Sequence, residues 1–143
     1  MIDRTDPFDL VDYGDLIDRS ATTMFMLGEA RKKLSTRASP DEILRITSAL
    51  MTEFPQEPAV SAFHGRVAVD MGQRDQVERW LKKLPANIES HADYWHAIGG
   101  WMAMQGNHAE AVRAFGESVR RDPTARESLR SMIASLNQLD RED

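Results

Sequence analysis

The chain has 143 residues, 41% of them hydrophobic and 29% charged, and this balance predicts one soluble domain long enough to bury a core. Its formal net charge of −5 disfavours a general nucleic-acid surface. Since the chain has no cysteine, disulfides, thiolate zinc sites and cysteine nucleophiles are excluded together.

The acidity is concentrated at the N-terminus. Residues 1–20 hold six Asp and two Arg, which leaves 17 acidic and 16 basic residues over 21–143. We expect 1–20 to be a partly helical acidic segment with a solvated face. A calcium loop is disfavoured because the residue spacing of an EF-hand is missing. A basic start followed by an apolar run is absent, and so is an apolar stretch near the ~20 residues of a membrane span. The sequence therefore predicts a cytoplasmic protein without membrane insertion, and leaves a periplasmic location or a larger anchored protein open.

Apolar residues recur at helical spacing along most of the chain. Helix starts are marked by Ser39-Pro40-Asp41-Glu42, by a weaker capping-box variant, Ser90-x-x-Asp93, and by a third capping box, Thr124-x-x-Glu127. Helix ends are marked by Pro55 and by Gly72 and Gly106. The predicted helices run over about 15–35, 40–54, 58–71, 75–84, 91–105, 108–121 and 125–139.

One stretch, 93–123, carries seven residues in a fixed spacing: Trp95, Ile98, Gly99, Met102, Ala111, Phe115 and Pro123. The spacing resembles the tetratricopeptide repeat, a 34-residue helix–turn–helix unit written W-x2-L-G-x2-Y, then A-x3-F, then P. Ile98 and Met102 replace Leu and Tyr with other apolar residues. The resemblance implies an all-α fold, a right-handed superhelical array of antiparallel helix pairs of the α-solenoid type.

Internal spacing extends the resemblance to residues 21–143. Gly65 and Gly99 lie 34 residues apart, and Gly28 lies 37 before Gly65, which predicts a three-residue insertion in the turn at 36–39. The resemblance implies repeats at 21–57, 58–91 and 92–125 with a capping helix at 125–139. It also implies that these three glycines lie where the two helices of a pair cross closely.

In this family the first helices of the pairs line a concave groove that holds a peptide or a helix. When the groove positions of the family are carried over, Asp93 and Glu127 fall on them as well as on the capping boxes. The predicted peptide-binding residues are Phe25, Glu29, Lys32, Phe63, Arg66, Asp70, His96, Gly100, Met104, Arg130 and Asn137. The Lys and Asn clamp of chaperone-binding members is absent, which disfavours a co-chaperone.

Small residues occupy the middle of this predicted groove: Ala62, Ala97, Gly100 and Ala103. They leave room for an inserted helix or extended segment, or they only accommodate tight helix packing. Trp80 has two interpretations as well. It packs flat on its own repeat, or it is an exposed anchor for a partner.

Catalytic and metal-binding patterns are weak. The chain has no G-x-S-x-G and no P-loop, so the sequence predicts no enzyme and no cofactor. We expect His64 to be a hydrogen-bonded core residue. His91, Asp93 and His96 have only a loose metal-like spacing, and no metal site is predicted.

The sequence thus favours a non-catalytic scaffold whose partner is a protein or peptide rather than nucleic acid. Two alternatives stay open. One is a self-assembling or secretion-chaperone-like structural module, with residues 1–20 as the segment that forms a homodimer. The other is a regulatory domain of a larger enzyme.

Overall fold

The computed structural model of the protein describes residues 24–32 and 39–142. Within these ranges the chain is all-α and contains no strand. The helices are α1 (24–32), α2 (Pro40–Glu53), α3 (Pro58–Asp70), α4 (Arg74–Leu81), α5 (Ala92–Met104), α6 (His108–Arg121) and α7 (Arg126–Glu142). A short 3-10 helix, Ile88–Ser90, precedes α5. None of the helices in the described ranges is long and apolar enough to cross a membrane.

Most helix boundaries agree with the sequence prediction because local signals set them. Proline is the first residue of α2 and α3, where its fixed φ suits the helix and its missing N–H is not needed. Gly72 and Gly106 follow the ends of α3 and α5 with φ of +67° and +79°, a left-handed conformation that favours glycine. The acidic segment 1–20, the first part of the predicted first helix and most of the turn at 36–39 lie outside the described residues.

Neighbouring helices pack along the chain. The central helix α3 contacts α2, α4 and α5, while α6 lies against both α5 and α7. The core holds Ile43, Phe63, Val67 and Val77 beneath these contacts. Burial of this continuous apolar surface is the main stabilising contribution to the fold.

Two glycines allow close helix crossings, as predicted. A Cβ on Gly65 would lie 2.3 Å from the ring of Trp80, and a Cβ on Gly99 would lie 2.6 Å from the ring of Phe115. Within the described residues the prediction for Gly28 is wrong, because no heavy atom of another helix there lies within 4 Å of its Cβ position. Gly28 is an exposed residue of α1.

Trp80 is a core residue and not an exposed anchor. Trp80 is 4% exposed, and its Nε1 donates hydrogen bonds to the main-chain oxygen and the hydroxyl of Ser61, at 2.9 and 3.0 Å. Trp95, by contrast, is only half-buried. Its Nε1 donates to the main-chain oxygen of Glu89 at 2.7 Å, and the guanidinium of Arg121 lies 5.0 Å from its ring centre.

His64 is the expected core histidine. It is buried, and its Nδ1 lies 2.9 Å from the hydroxyl of Thr47 on α2. Burial lowers the pKa of His64, since the charged imidazolium is poorly solvated there. The side chain therefore serves as a neutral hydrogen-bonding link between α2 and α3.

The capping boxes predicted at Ser90-x-x-Asp93 and Thr124-x-x-Glu127 do not form. The N-cap of α5 is His91, and no side-chain hydrogen bond caps that helix. Thr124 bonds to the carboxylate of Asp122 instead of capping α7. Asp93 and Glu127, the acids of the two predicted boxes, face other helices and form ion pairs there.

Candidate interaction site

Arg66 on α3 is the centre of a cluster of charged residues from four helices. Its Nη1 lies 2.9 Å from Asp93 Oδ1 on α5, and its Nη2 lies 2.6 Å from Glu127 Oε2 on α7. Its Nε is 3.8 Å from Asp70 Oδ2 on its own helix. The Arg66 side chain is only 16% exposed, so the fork of the guanidinium is held in a fixed position.

Asp93 joins a second cation to the cluster. Its carboxylate also accepts a hydrogen bond from Arg31 of α1, whose guanidinium lies 4.6 Å from the ring centre of Phe63. Asp93 is buried, so both cations are needed to stabilise its charge. Through these contacts α1, α3, α5 and α7 are linked by ion pairs between residues far apart in the chain.

A chain of hydrogen bonds continues from the cluster into the core. His96 Nε2 lies 3.0 Å from Asp70 Oδ1, and His96 Nδ1 lies 2.8 Å from Ser128 Oγ. Ser128 Oγ in turn lies 2.9 Å from Ser118 Oγ, which donates to the main-chain oxygen of Ala92. We refer to Arg31, Arg66, Asp70, Asp93, His96, Glu127 and Ser128 together as the Arg66 network.

The order Ser128, His96, Asp70 has the connectivity of a hydrolytic triad. A nucleophile must contact its substrate, however, and Ser128 is 1% exposed with its hydroxyl shared with Ser118. In this geometry the three residues connect α3, α5 and α7. They offer no position from which a substrate carbonyl would be attacked.

Burial and ion pairing shift the pKa values of Asp93 and Arg66 in opposite directions. For Asp93 burial alone raises the pKa, but the hydrogen bonds and charges of Arg31 and Arg66 outweigh burial and lower it. For Arg66 burial alone lowers the pKa, but Asp93, Glu127 and Asp70 outweigh burial and raise it. Both groups are therefore held in their charged forms. One buried polar atom in the described ranges, Arg66 Nε, makes no hydrogen bond.

Three groups of the network have the chemistry of metal ligands. One ligand atom each from Asp70, His96 and Glu127 lies within 4.8 Å of the others. The guanidinium of Arg66 already lies among the two carboxylates and supplies the positive charge that a cation would bring. A divalent ion at this point would be repelled by Arg66, so the arrangement favours an ion-pair network over a metal site.

The structure brings together three of the predicted groove residues, Arg66, Asp70 and His96. Phe25 and Lys32 are exposed on α1, and Glu29 lies 3.9 Å from Lys32. The others lie elsewhere along the helices: Met104 is partly buried at the end of α5, and Arg130 and Asn137 are exposed on α7.

The middle of the predicted groove is filled rather than open. Phe63 is fully buried and offers no apolar surface to a ligand, contrary to the role that the sequence suggested for it. A Cβ on Gly100 would lie 2.3 Å from Val69 Cγ1, so the space beside this glycine already holds a side chain. Ala62 and Ala97 are fully buried as well. Of the two interpretations of the small residues, tight helix packing is the one that agrees with these contacts.

Sequence reasoning missed Arg31, which sits between two predicted groove residues on α1. Its ion-pair partner Asp93 is 62 residues away in the chain, so no local sequence pattern indicates that the two residues pair. Asp93 and Glu127 were identified as groove positions, yet the capping-box pattern assigned them a competing role at helix starts. Their contacts with Arg66 show that both acids take part in an ion-pair network between helices and not in helix caps.

The chain matches no protein-family model, and comparison with curated proteins finds no relative. The resemblance to a repeat family therefore rests on the spacing of residues in the sequence alone.

Proposed function

We propose that the chain is a tetratricopeptide-like helical array that binds a peptide or helical segment of another protein and carries out no chemistry. The 34-residue spacing of Gly65 and Gly99 supports the array. So does the similar packing of the two glycines, each beneath an aromatic ring of the following helix, although the two rings, Trp80 and Phe115, lie one position apart in the 34-residue register. A right-handed superhelix of such pairs puts the first helices α1, α3, α5 and α7 on one face.

The contact between Arg66 and Glu127 is the observation that supports binding on this face. The Arg66 side chain is 16% exposed, whereas that of Glu127 is 58% exposed. Asp93 holds the buried side of the guanidinium, and Glu127 occupies the accessible Nη2. Glu127 thus takes the place that a carboxylate of a bound peptide would occupy.

Exchange of one carboxylate for another at Nη2 is energetically feasible. Arg66 is already desolvated in the folded chain, so a ligand does not bear that cost. Charge-assisted hydrogen bonds to a fixed guanidinium are among the stronger polar contacts, roughly 1.5–3 kcal/mol each. The ligand that suits this site carries an Asp or Glu side chain or a C-terminal carboxylate.

Apolar contact is available on α1, which reaches the network through Arg31. Met24 and Phe25 are about two-thirds exposed there, at 66% and 65%. A partner segment that combines a carboxylate with an apolar side chain would use both features.

The test is a selection of binding peptides from a random displayed library, followed by calorimetry with synthetic peptides. We expect the selected peptides to share an acidic residue whose change to the amide weakens binding. Glu127→Gln removes the internal competitor and should tighten binding several-fold, up to about tenfold. Glu110→Gln is the matched control, because Glu110 pairs with Arg113 on the exposed side of α6.

Peptides that bind equally well as acids and amides would contradict the role of Arg66. Equal affinities of the Glu127→Gln and Glu110→Gln variants for an acidic peptide would contradict the exchange at Nη2. A library that yields no binding peptide would contradict the interaction function itself.

A further inference from the structure

Helix α7 has an unusual distribution of polar and apolar side chains. Its buried residues include Ser128 and Ser135, while Leu129, Ile133 and Leu136 are 43%, 49% and 42% exposed. Surface helices of soluble proteins normally place large apolar residues inward. Here Met132 and Leu139 are partly buried beside the two serines, while the three large exposed residues form an apolar row on the outward face, which a second apolar surface would cover.

The apolar row has the spacing of a helix–helix seam. Leu129, Ile133 and Leu136 are separated by four and three residues, which puts them on one face of α7. Arg126 and Asp140 lie seven residues before and seven residues after Ile133. Seven residues are nearly two helical turns, so Arg126, Ile133 and Asp140 lie along one line.

This row is complementary to itself. We propose that α7 is a homodimer interface in which two α7 helices pack antiparallel about a two-fold axis near Ile133. At a rise of 1.5 Å per residue, Leu129 and Leu136 lie about 6 Å and about 4.5 Å on opposite sides of that axis. The two-fold axis therefore brings Leu129 level with the partner's Leu136, and Arg126 level with the partner's Asp140.

The charged residues at the two ends of the apolar row indicate which partner packs against α7. Neither Arg126 nor Asp140 forms an ion pair within residues 24–32 and 39–142. In the antiparallel dimer each finds the opposite charge on the other copy, and the pair forms twice. An unrelated partner would have no reason to require opposite charges at equal distances from the centre of the row. A second copy of this chain requires that symmetry.

The dimer should be weak. Helix α7 has 17 residues and is therefore about 25 Å long. A contact of one helix per copy lies below the ~1,200 Å² that stable interfaces bury. We expect a monomer–dimer equilibrium that shifts between micromolar and millimolar protein.

This interface is separate from the carboxylate site at Arg66. Glu127 lies about 160° around α7 from Leu129, at 100° per residue. A failure of peptide binding would leave the dimer unaffected, and a monomeric chain would leave the peptide site unaffected.

Sedimentation equilibrium of the full chain over that concentration range tests the proposal. Ile133→Asp should abolish the dimer, while Ala134→Asp, a charge on the adjacent exposed residue that points away from the row, should leave the dimer intact. Arg126→Asp or Asp140→Arg alone should weaken the dimer at least about tenfold, or about 1.4 kcal/mol. The double reversal should restore it, because opposite charges again face each other.

The variants should all fold, since the changed residues are exposed and both reversals suit the helix dipole. Circular dichroism checks this. A chain that stays monomeric at every concentration overturns the proposal. So does a dimer that survives Ile133→Asp, or a double reversal that fails to rescue the single ones.

Discussion

Trp80 and Ser61 form a compensating pair of a large and a small residue. Trp80 Nε1 donates to the main-chain oxygen of Ser61 at 2.9 Å, and the indole lies against Gly65. Thirty-four residues later the sizes are exchanged, since Trp95 stands at the position of Ser61 and Ala114 at that of Trp80. At this pair of positions the tryptophan thus lies on α4, the second helix, in one helix pair and on α5, the first helix, in the next.

This exchange predicts which tryptophan contributes more to stability. Trp80→Ala should lower the free energy of unfolding by about 3–5 kcal/mol, because it removes a buried ring and leaves a cavity. Trp95→Ala should cost less, because Trp95 is only half-buried, although it is the residue that matches the repeat motif. Urea unfolding followed by circular dichroism measures both. A larger loss for Trp95→Ala would contradict this account.

Replacing glycine by alanine should change the stability of the chain in opposite directions at Gly28 in α1 and Gly65 in α3. Gly65→Ala would place a Cβ 2.3 Å from the ring of Trp80, and the resulting shift should cost about 1–3 kcal/mol. Gly28→Ala meets no atom of another helix within 4 Å among residues 24–32 and 39–142 and gains helix propensity, so it should stabilise the chain by up to about 1 kcal/mol. Thermal melts of the two variants beside the unchanged chain check both signs. Destabilisation by Gly28→Ala would mean that this glycine is packed.

The helices were predictable because their signals are local. Pro40 and Pro58 start helices by their own geometry, and Gly72 and Gly106 end them by theirs. The contacts of the Arg66 network were not predictable in the same way, since the ion pairs to Arg66 join residues 27 and 61 positions apart. A local pattern has no information about such distances, and it offered a capping role for Glu127 instead.

The filled middle of the predicted groove shows a second feature that could not be predicted from the sequence. A small residue at a groove position is compatible with an empty space or with a neighbour that fills it. At Gly100 the neighbour is Val69 of α3, which lies directly against this glycine although it is 31 residues away in the chain. Only the packing of α3 against α5 decides between the two possibilities.

Asp93 should be the most sensitive charged residue of the fold. Asp93→Asn leaves the guanidinium of Arg66 largely buried without its most buried charged partner, and it weakens the contact with Arg31. Removal of one partner of a buried ion pair typically costs about 3–5 kcal/mol, and we expect a loss of about 3 kcal/mol here because Arg31 is half-exposed. Urea unfolding at neutral pH measures the loss.

Glu110→Gln is the matched control for that experiment. Its partner Arg113 is on the same helix, and both side chains are largely exposed. Exposed pairs of this kind contribute at most about 1 kcal/mol. Similar losses for Asp93→Asn and Glu110→Gln would mean that the Arg66 network adds no more than a surface ion pair.

Asp93→Asn should also make the free energy of unfolding depend less on pH in the acid range. Burial alone would raise the pKa of Asp93, but Arg31 and Arg66 outweigh burial and lower it below the ordinary value of about 3.8. A carboxyl group whose pKa is lowered by folding contributes stability that is complete above the ordinary pKa. That stability is lost as the pH falls through the lowered pKa of the folded state.

The difference in unfolding free energy between the unchanged chain and Asp93→Asn should therefore be constant near neutral pH. It should then shrink as the pH falls below about 4. Other carboxyl groups titrate in both proteins and cancel in the difference. Urea unfolding of both proteins at a series of pH values gives this difference directly, and a difference that stays constant or grows in acid would show that the ion pairs do not hold Asp93 in its charged form.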